Sequence, residues 1–148
     1  MSSTAALPQL TYDGLSVGRT FTETHMTVSP EMIATYGKAV HNSPLAAQAS
    51  APAGTPLCDP SLVILFGIAR RALSKDARLP PGGILAAQDY EAERTLRAGE
   101  TVRIKPSVAA KYEKRERRYV QLHCELEDQD KERIGSVDSF IIWAPGSL

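Results

Sequence analysis

The stretch "YVQLHCELE" (119–127) alternates cleanly, with Val120, Leu122, Cys124 and Leu126 on one face and Tyr119, Gln121, His123 and Glu125 on the other. A period of two with one apolar side predicts a half-buried β-strand. Upstream, "TVRIKPSVAAKYE" (101–113) alternates through Val102, Ile104, Val108 and Ala110, and the basic "KRERR" makes the bend between the two. "ILAAQDYEAERTL" (84–96) and "RIGSVDSFIIW" (133–143) read as two further strands, set off by the turns "RAGE" and "DQDKE". Near the start, the Thr-rich "RTFTETHMTV" (19–28) reads as a strand.

Two segments carry the helical pattern instead. In "SPEMIATYGKAV", Ile33, Tyr36, Gly37 and Val40 recur at i, i+3, i+4 and i+7. Ser29 supplies the cap, Pro30 suits the first helical position, and Glu31 favours the positive end of the dipole. Asn42-Ser43-Pro44 ends this helix. "DPSLVILFGIARRAL" (59–73) begins on a capping Asp59 with Pro60 behind it and is apolar on nearly every side, the signature of a buried helix. Gly67 within it costs about 1 kcal/mol of helix propensity and suits a close approach by another backbone. Between them, "LAAQASAPAGTPL" (45–57) is small, weakly patterned and rich in breakers, so it reads as a loop. "LPPGG" (79–83) separates the helices from the strands. Helices early and antiparallel hairpins late give an α+β chain. The expected organisation is an N-terminal arm over 1–18 and one domain over 19–148, in which a long buried helix is wrapped by an antiparallel sheet of five or six strands.

Composition narrows the function classes. The chain has 148 residues, enough for one domain with a genuine core. Lys+Arg and Asp+Glu balance at 17 each, so no overall field argues for nucleic acid or membrane. The longest apolar run, Leu62 to Ala69, is too short to span a bilayer, and the first residues lack the pattern of a secretory signal. Cys58 and Cys124 form neither a disulfide framework nor a zinc set, and no two histidines have metal spacing. The expectation is a cytoplasmic protein with reduced thiols and no metal or cofactor.

The buried helix, the "LRAGETV" turn and the tail "YEKR…YVQLHCELEDQDKERIGSVDSFII" together resemble the MaoC-like hydratase/dehydratase family, which has the hotdog fold. Within it, "YGKAVHNS" and "DPSLVILFG" look like the non-catalytic subunit of hydroxyacyl-ACP dehydratases. The resemblance spans roughly residues 12–143. It implies acyl thioesters of CoA or acyl carrier protein as ligands, and a homodimer or a heterodimer with another hotdog chain. Active members add water to a 2-enoyl thioester or remove it from a 3-hydroxyacyl thioester. They use an Asp-x-Asn-Pro-aliphatic-His motif, whose Asp and His handle the protons. Here His41 falls at the Asp position, Ser43 at the Asn, Pro44 at the Pro, Leu45 at the aliphatic residue and Ala46 at the His. Both proton-handling residues therefore differ. The usual His-Gly at the helix start is Asp59-Pro60 here, and Pro60 has no N–H, leaving those of Ser61 and Leu62 for an oxyanion.

Each candidate has a functional reading and a plainer one. His41 suits a general base with Asp59 as partner, yet a cation at a helix C-terminus and an Asp cap also explain the pair. Asn42 and Ser43 either meet substrate or bond the turn; Ser61, Leu62 and Phe66 are the substrate-binding candidates on the buried helix. Lys111, Lys114, Arg115, Arg117 and Arg118 either meet the phosphates of CoA or a carrier arm, or form a solvated bend diluted by Glu113 and Glu116. Cys58 is either a thiolate eased by the following helix or a small buried hydrophobe. His25 has no visible partner, His123 reads as exposed or interfacial, and Tyr90 and Trp143 read as structural. Three functions follow: a lyase or tailoring isomerase or cyclase with a substituted base, a non-catalytic acyl-binding subunit of a heteromeric dehydratase, or an acyl-CoA-holding regulator. A thioesterase lacks an evident carboxylate on the buried helix.

Overall fold

A computed structural model describes residues 6–40 and 60–146. Five antiparallel strands form one sheet: β1 (Thr24–Thr27), β2 (Ile84–Ala92), β3 (Thr101–Lys114), β4 (Arg117–Glu127) and β5 (Arg133–Ile142). Their spatial order is β1-β3-β4-β5-β2, so β1 and β2 are the edges. The long β3–β4 hairpin turns at Arg115 and Glu116, both at positive φ (52° and 62°). That is the backbone twist a two-residue hairpin needs, reached here without glycine.

Alternation in β4 is as the pattern predicts: Val120, Leu122, Cys124 and Leu126 are buried, and their neighbours are half-exposed. In β3 the inward row holds at Val102, Ile104 and Val108, but the register slips between Val108 and Ala110, so Ala110 leaves the buried row. A one-residue slip moves every later side chain to the other face.

The helix α1 (Pro30–Ala39) starts as expected, with the Ser29 hydroxyl accepting from the Met32 N–H at 3.1 Å. Met32, Ile33 and Tyr36 lie partly buried against the core, while Val40 is exposed. The second helical run is broken, where the pattern predicts one long helix. A 3-10 helix spans Pro60–Gly67, Ile68 is extended (φ −64°, ψ 113°), and a single turn α2 follows at Ala69–Ala72. The break has a steric cause. A Cβ on Gly67 would lie 2.3 Å from Cβ and Cγ1 of Val137 on β5, so the backbone rides directly on the sheet there. The Gly67 carbonyl accepts a 3.3 Å hydrogen bond from the buried Ser139 hydroxyl instead of continuing the helical ladder.

Two apolar clusters line the sheet's inner face. Leu62, Val63 and Phe66 pack on Val102, Ile104, Leu126 and Val137. Leu73 packs with Val108, Val120, Leu122, Ile141 and Trp143, closed from outside by Leu10, Tyr12 and Leu15 of the N-terminal segment. That segment is tied down by paired hydrogen bonds of 2.9 Å between Pro8, Leu10 and Arg78. Among the described residues no helix is long and apolar enough to cross a membrane.

Candidate functional site

His41, Asn42, Ser43 and Asp59 lie outside the described residues, as do Pro44, Leu45, Ala46 and Cys58. The remaining sequence candidates can be placed. Leu62 and Phe66 are wholly buried in the core and line no described pocket. Ser61, half-buried at the start of the 3-10 helix, shares a 2.6 Å hydrogen bond with the Tyr36 hydroxyl of α1. This contact joins the two helices that flank the undescribed stretch, and it reveals a polar role for Tyr36, which the apolar face of α1 concealed.

The basic cluster gathers around the β3–β4 bend, and its members differ. Lys111 donates to the Leu15 carbonyl at 2.8 Å and stands 4.3 Å over the Tyr12 ring. Arg118 pairs with Glu113 at 3.2 Å and also covers Tyr12. These two cations hold the N-terminal segment. Lys114, Arg115 and Arg117 are exposed, and Arg117 borders a groove with Glu113, Glu116 and Trp143.

A mostly apolar pocket opens at the helix break. A pocket of about 260 Å³ lies between Ile68–Arg70, the "LPPGG" turn, β2 and the end of β5. Ile68, Leu79, Leu85, Ile141 and Trp143 form its apolar walls. Its polar groups are few: Gln88, Ser139 and, on α2, Arg70. Gln88 of β2 and Ser139 of β5 are register partners, and the Gln88 amide donates to the Ser139 hydroxyl at 3.1 Å. Ser139 passes the bond on to the Gly67 carbonyl, which closes a short polar chain at the wall of an apolar space. Among the described residues that line the pocket, these three supply its polar side chains and none pairs an acid with a base. Sequence reasoning missed it because Gln88 and Ser139 are 51 residues apart, and only the register brings them together.

His123 sits on the opposite face of the sheet. Its two ring nitrogens meet Asp138 at 3.0 Å and Glu125 at 2.8 Å. Burial alone lowers its pKa, but hydrogen bonds to the two carboxylates outweigh this and raise it. Glu125 also pairs with Arg133, which reaches Glu93 at 2.5 Å and Glu91 at 3.2 Å. This is a structural lattice across β2, β4 and β5, remote from the pocket's inner face. Burial pushes the Cys124 thiol up to about 12, which makes it a core residue rather than a nucleophile. His25 is exposed on β1. No group of three or more metal-type ligands is found among the described residues.

No family model matches the chain, and no curated protein matches it by sequence. Solved structures do. The unliganded (R)-hydratase PhaJ1 from Pseudomonas aeruginosa aligns over 93% of this chain and 88% of its own, with TM-score 0.70 and 18% identity. The MaoC-like dehydratase from Rhodospirillum rubrum aligns over 91% and 97%, with TM-score 0.64 and 17% identity. The HadBC 3R-hydroxyacyl-ACP dehydratase complex from Mycobacterium tuberculosis aligns over 85% and 96%, with TM-score 0.67 and 13% identity. These likenesses bear out the hotdog fold expected from the sequence, with a broken helix in place of the continuous one.

Proposed function

We propose that this hotdog domain acts on acyl thioesters of CoA or acyl carrier protein, in hydratase/dehydratase-type chemistry, as a dimer. The observation that carries the reading is the apolar pocket at the helix break, in a fold shared with a (R)-hydratase and a hydroxyacyl-ACP dehydratase. A space of that size suits an acyl group and leaves the carrier outside. In hydration, His41 takes a proton from water as the oxygen bonds to C3 of the enoyl group. The displaced electron pair moves onto the thioester oxygen, held by the Ser61 and Leu62 N–H groups at the start of the 3-10 helix, and the acyl chain runs from there toward the pocket at the helix's other end. The proton then returns to C2. Asp59 orients His41, Asn42 and Ser43 contact the substrate, and the exposed Lys114, Arg115 and Arg117 meet the carrier's phosphates.

The edge strand β2 supports the dimer. None of its nine residues is buried, and Ile84, Leu85 and Tyr90 are exposed at 56%, 56% and 44%. A long apolar edge of this kind pairs with another strand in stable proteins. A second reading, the non-catalytic subunit, is favoured by the absence of an acid–base pair among the pocket's described residues.

The deciding experiment mixes the purified chain with a short and a long 2-enoyl-CoA and follows loss of the enoyl absorbance, wild type beside His41→Ala. Hydration that collapses in His41→Ala establishes an independent enzyme. Binding without turnover, restored by a hotdog chain bearing the Asp/His pair, establishes the subunit role. Neither binding nor turnover refutes the proposal.

A further inference from the structure

We infer that the free edge of β2 prefers a different chain to a second copy of its own, namely a hotdog partner whose facing strand carries lysine or arginine on the outer side of the sheet; this rests on the edge-pairing dimer proposed above. β2 is paired to β5 on one side, and among the described residues nothing pairs with its other side. The register with β5 sorts its side chains into two rows. Leu85, Gln88 and Tyr90 stand opposite the buried Ile141, Ser139 and Val137, on the side that faces the helices. Ala87, Asp89 and Glu91 stand opposite Phe140, Asp138 and Ser136, on the outer side. The inner row offers exposed apolar surface at Leu85 and Tyr90, which favours pairing with any strand. The outer row offers charge of one sign.

β2 contains no Lys, Arg or His. Asp89 is exposed, stands opposite a second carboxylate, Asp138, and has no ion-pair partner among the described residues. Glu91 meets Arg133 at 3.2 Å, yet its side chain stays 74% exposed. That guanidinium is already shared with Glu93 and Glu125, and His123 is held between Glu125 and Asp138. Carboxylates therefore outnumber cations on this part of the outer side. If a second β2 pairs antiparallel with the first, each outer row faces the other. Wherever the two-fold axis passes between Gln88 and Glu91, Asp89 lies directly opposite an acid of the second copy or one diagonal step from it. Those separations are about 5 Å and about 7–8 Å, and like charges so placed weaken the pairing. A strand with cations in that row turns the same geometry attractive and gives Asp89 its missing counter-ion. Alone, the chain pairs with itself through the inner row; beside a cationic strand it exchanges.

The full chain carrying Asp89→Lys serves as the cationic partner. Wild type and the isotope-labelled variant are mixed in equal amounts, left to exchange at low salt, and their dimers counted by native mass spectrometry. Mixed dimers should exceed the share that random pairing gives, with an exchange constant raised about tenfold. The excess should vanish in about 1 M salt, where the screening length is about 3 Å. Asp89→Asn, which keeps the side chain's size, should tighten self-pairing about two- to fivefold at low salt in sedimentation equilibrium, and it guards against a folding defect in the lysine variant. Mixed dimers at the random share, an excess that survives high salt, or self-pairing no tighter in Asp89→Asn overturns the inference and leaves the edge dimer standing. Monomers in every mixture overturn both. Turnover plays no part in either measurement.

Discussion

Gly67→Ala is the sharpest perturbation of this fold. The new methyl would stand 2.3 Å from Val137 Cβ and Cγ1 and 2.9 Å from Cγ2. Carbon atoms rest at about 3.5–4.0 Å, so the 3-10 helix and β5 must separate by more than 1 Å. A rotamer change at Val137 cannot relieve this, because Cβ is fixed to the strand. Overpacking of a filled core costs up to about 3 kcal/mol, and exchanging Gly for Ala returns at most about 1 kcal/mol of helix propensity. The net loss is about 2 kcal/mol. For 148 residues, an unfolding entropy of about 2.1 cal/mol/K per residue makes that a drop in Tm of about 6 °C. Calorimetry of wild type and variant reads it. Two partner substitutions sharpen the cause. Val137→Ala keeps the offending Cβ and leaves the Gly67→Ala penalty nearly intact, while Val137→Gly removes it and gives a favourable coupling in a double-mutant cycle. A Gly67→Ala protein as stable as wild type, or more so, would show that the helix does not ride on β5 and would remove the steric account of its break.

Four further outcomes follow from the same geometry. Tyr36→Phe deletes the bond to Ser61 and lowers stability by about 1 kcal/mol in urea titration; an unchanged midpoint refutes a structural link between the helices. Ile84→Lys with Tyr90→Lys on β2 shifts the mass in light scattering from twice 16.0 kDa to 16.0 kDa, and a persisting dimer places the interface elsewhere. In a Cys58→Ala background, Cys124 stays unlabelled by iodoacetamide at pH 8 until denaturant is added, since a thiol near 12 is about one part in ten thousand thiolate there. His123 has a folded pKa above its ordinary 6.5, so its contribution to stability is complete below pH 6.5 and fades as pH rises through the folded value; His123→Gln is therefore more damaging at pH 6 than at pH 9, and a penalty independent of pH refutes the charged His123.

Strand identity was legible because a period of two is a local property. The row from Val120 to Leu126 needed no tertiary information to be assigned a buried face. The same logic failed one strand earlier at Ala110, because a bulge adds a residue without changing the composition on either side. It failed differently at residues 60–72. An unbroken apolar run states that a segment is buried, not how it winds. Gly67 signalled the close approach, but the partner that made the approach, Val137, was invisible from the helix's own sequence.

The site divides along the same line. Candidates chosen by motif, His41, Asn42, Ser43 and Asp59, rest on the resemblance alone, since they fall outside the described residues. Of the candidates chosen by charge, Lys111 and Arg118 proved to be anchors for Tyr12 and the N-terminal segment, a role that depends on a contact spanning about a hundred residues. The pocket itself was hidden for a physical reason. It exists because the helix breaks at Ile68, and the chain breaks there in part because Ser139 takes the Gly67 carbonyl. One buried hydroxyl thus meets the helix break, the cavity wall and the amide of Gln88. Replacing Ser139 by alanine should then disturb all three together. A helix restored through Ile68 in Ser139→Ala, read from backbone NMR shifts, would tie the break to that bond, and an unchanged break would leave the contact of Gly67 with Val137 as its cause.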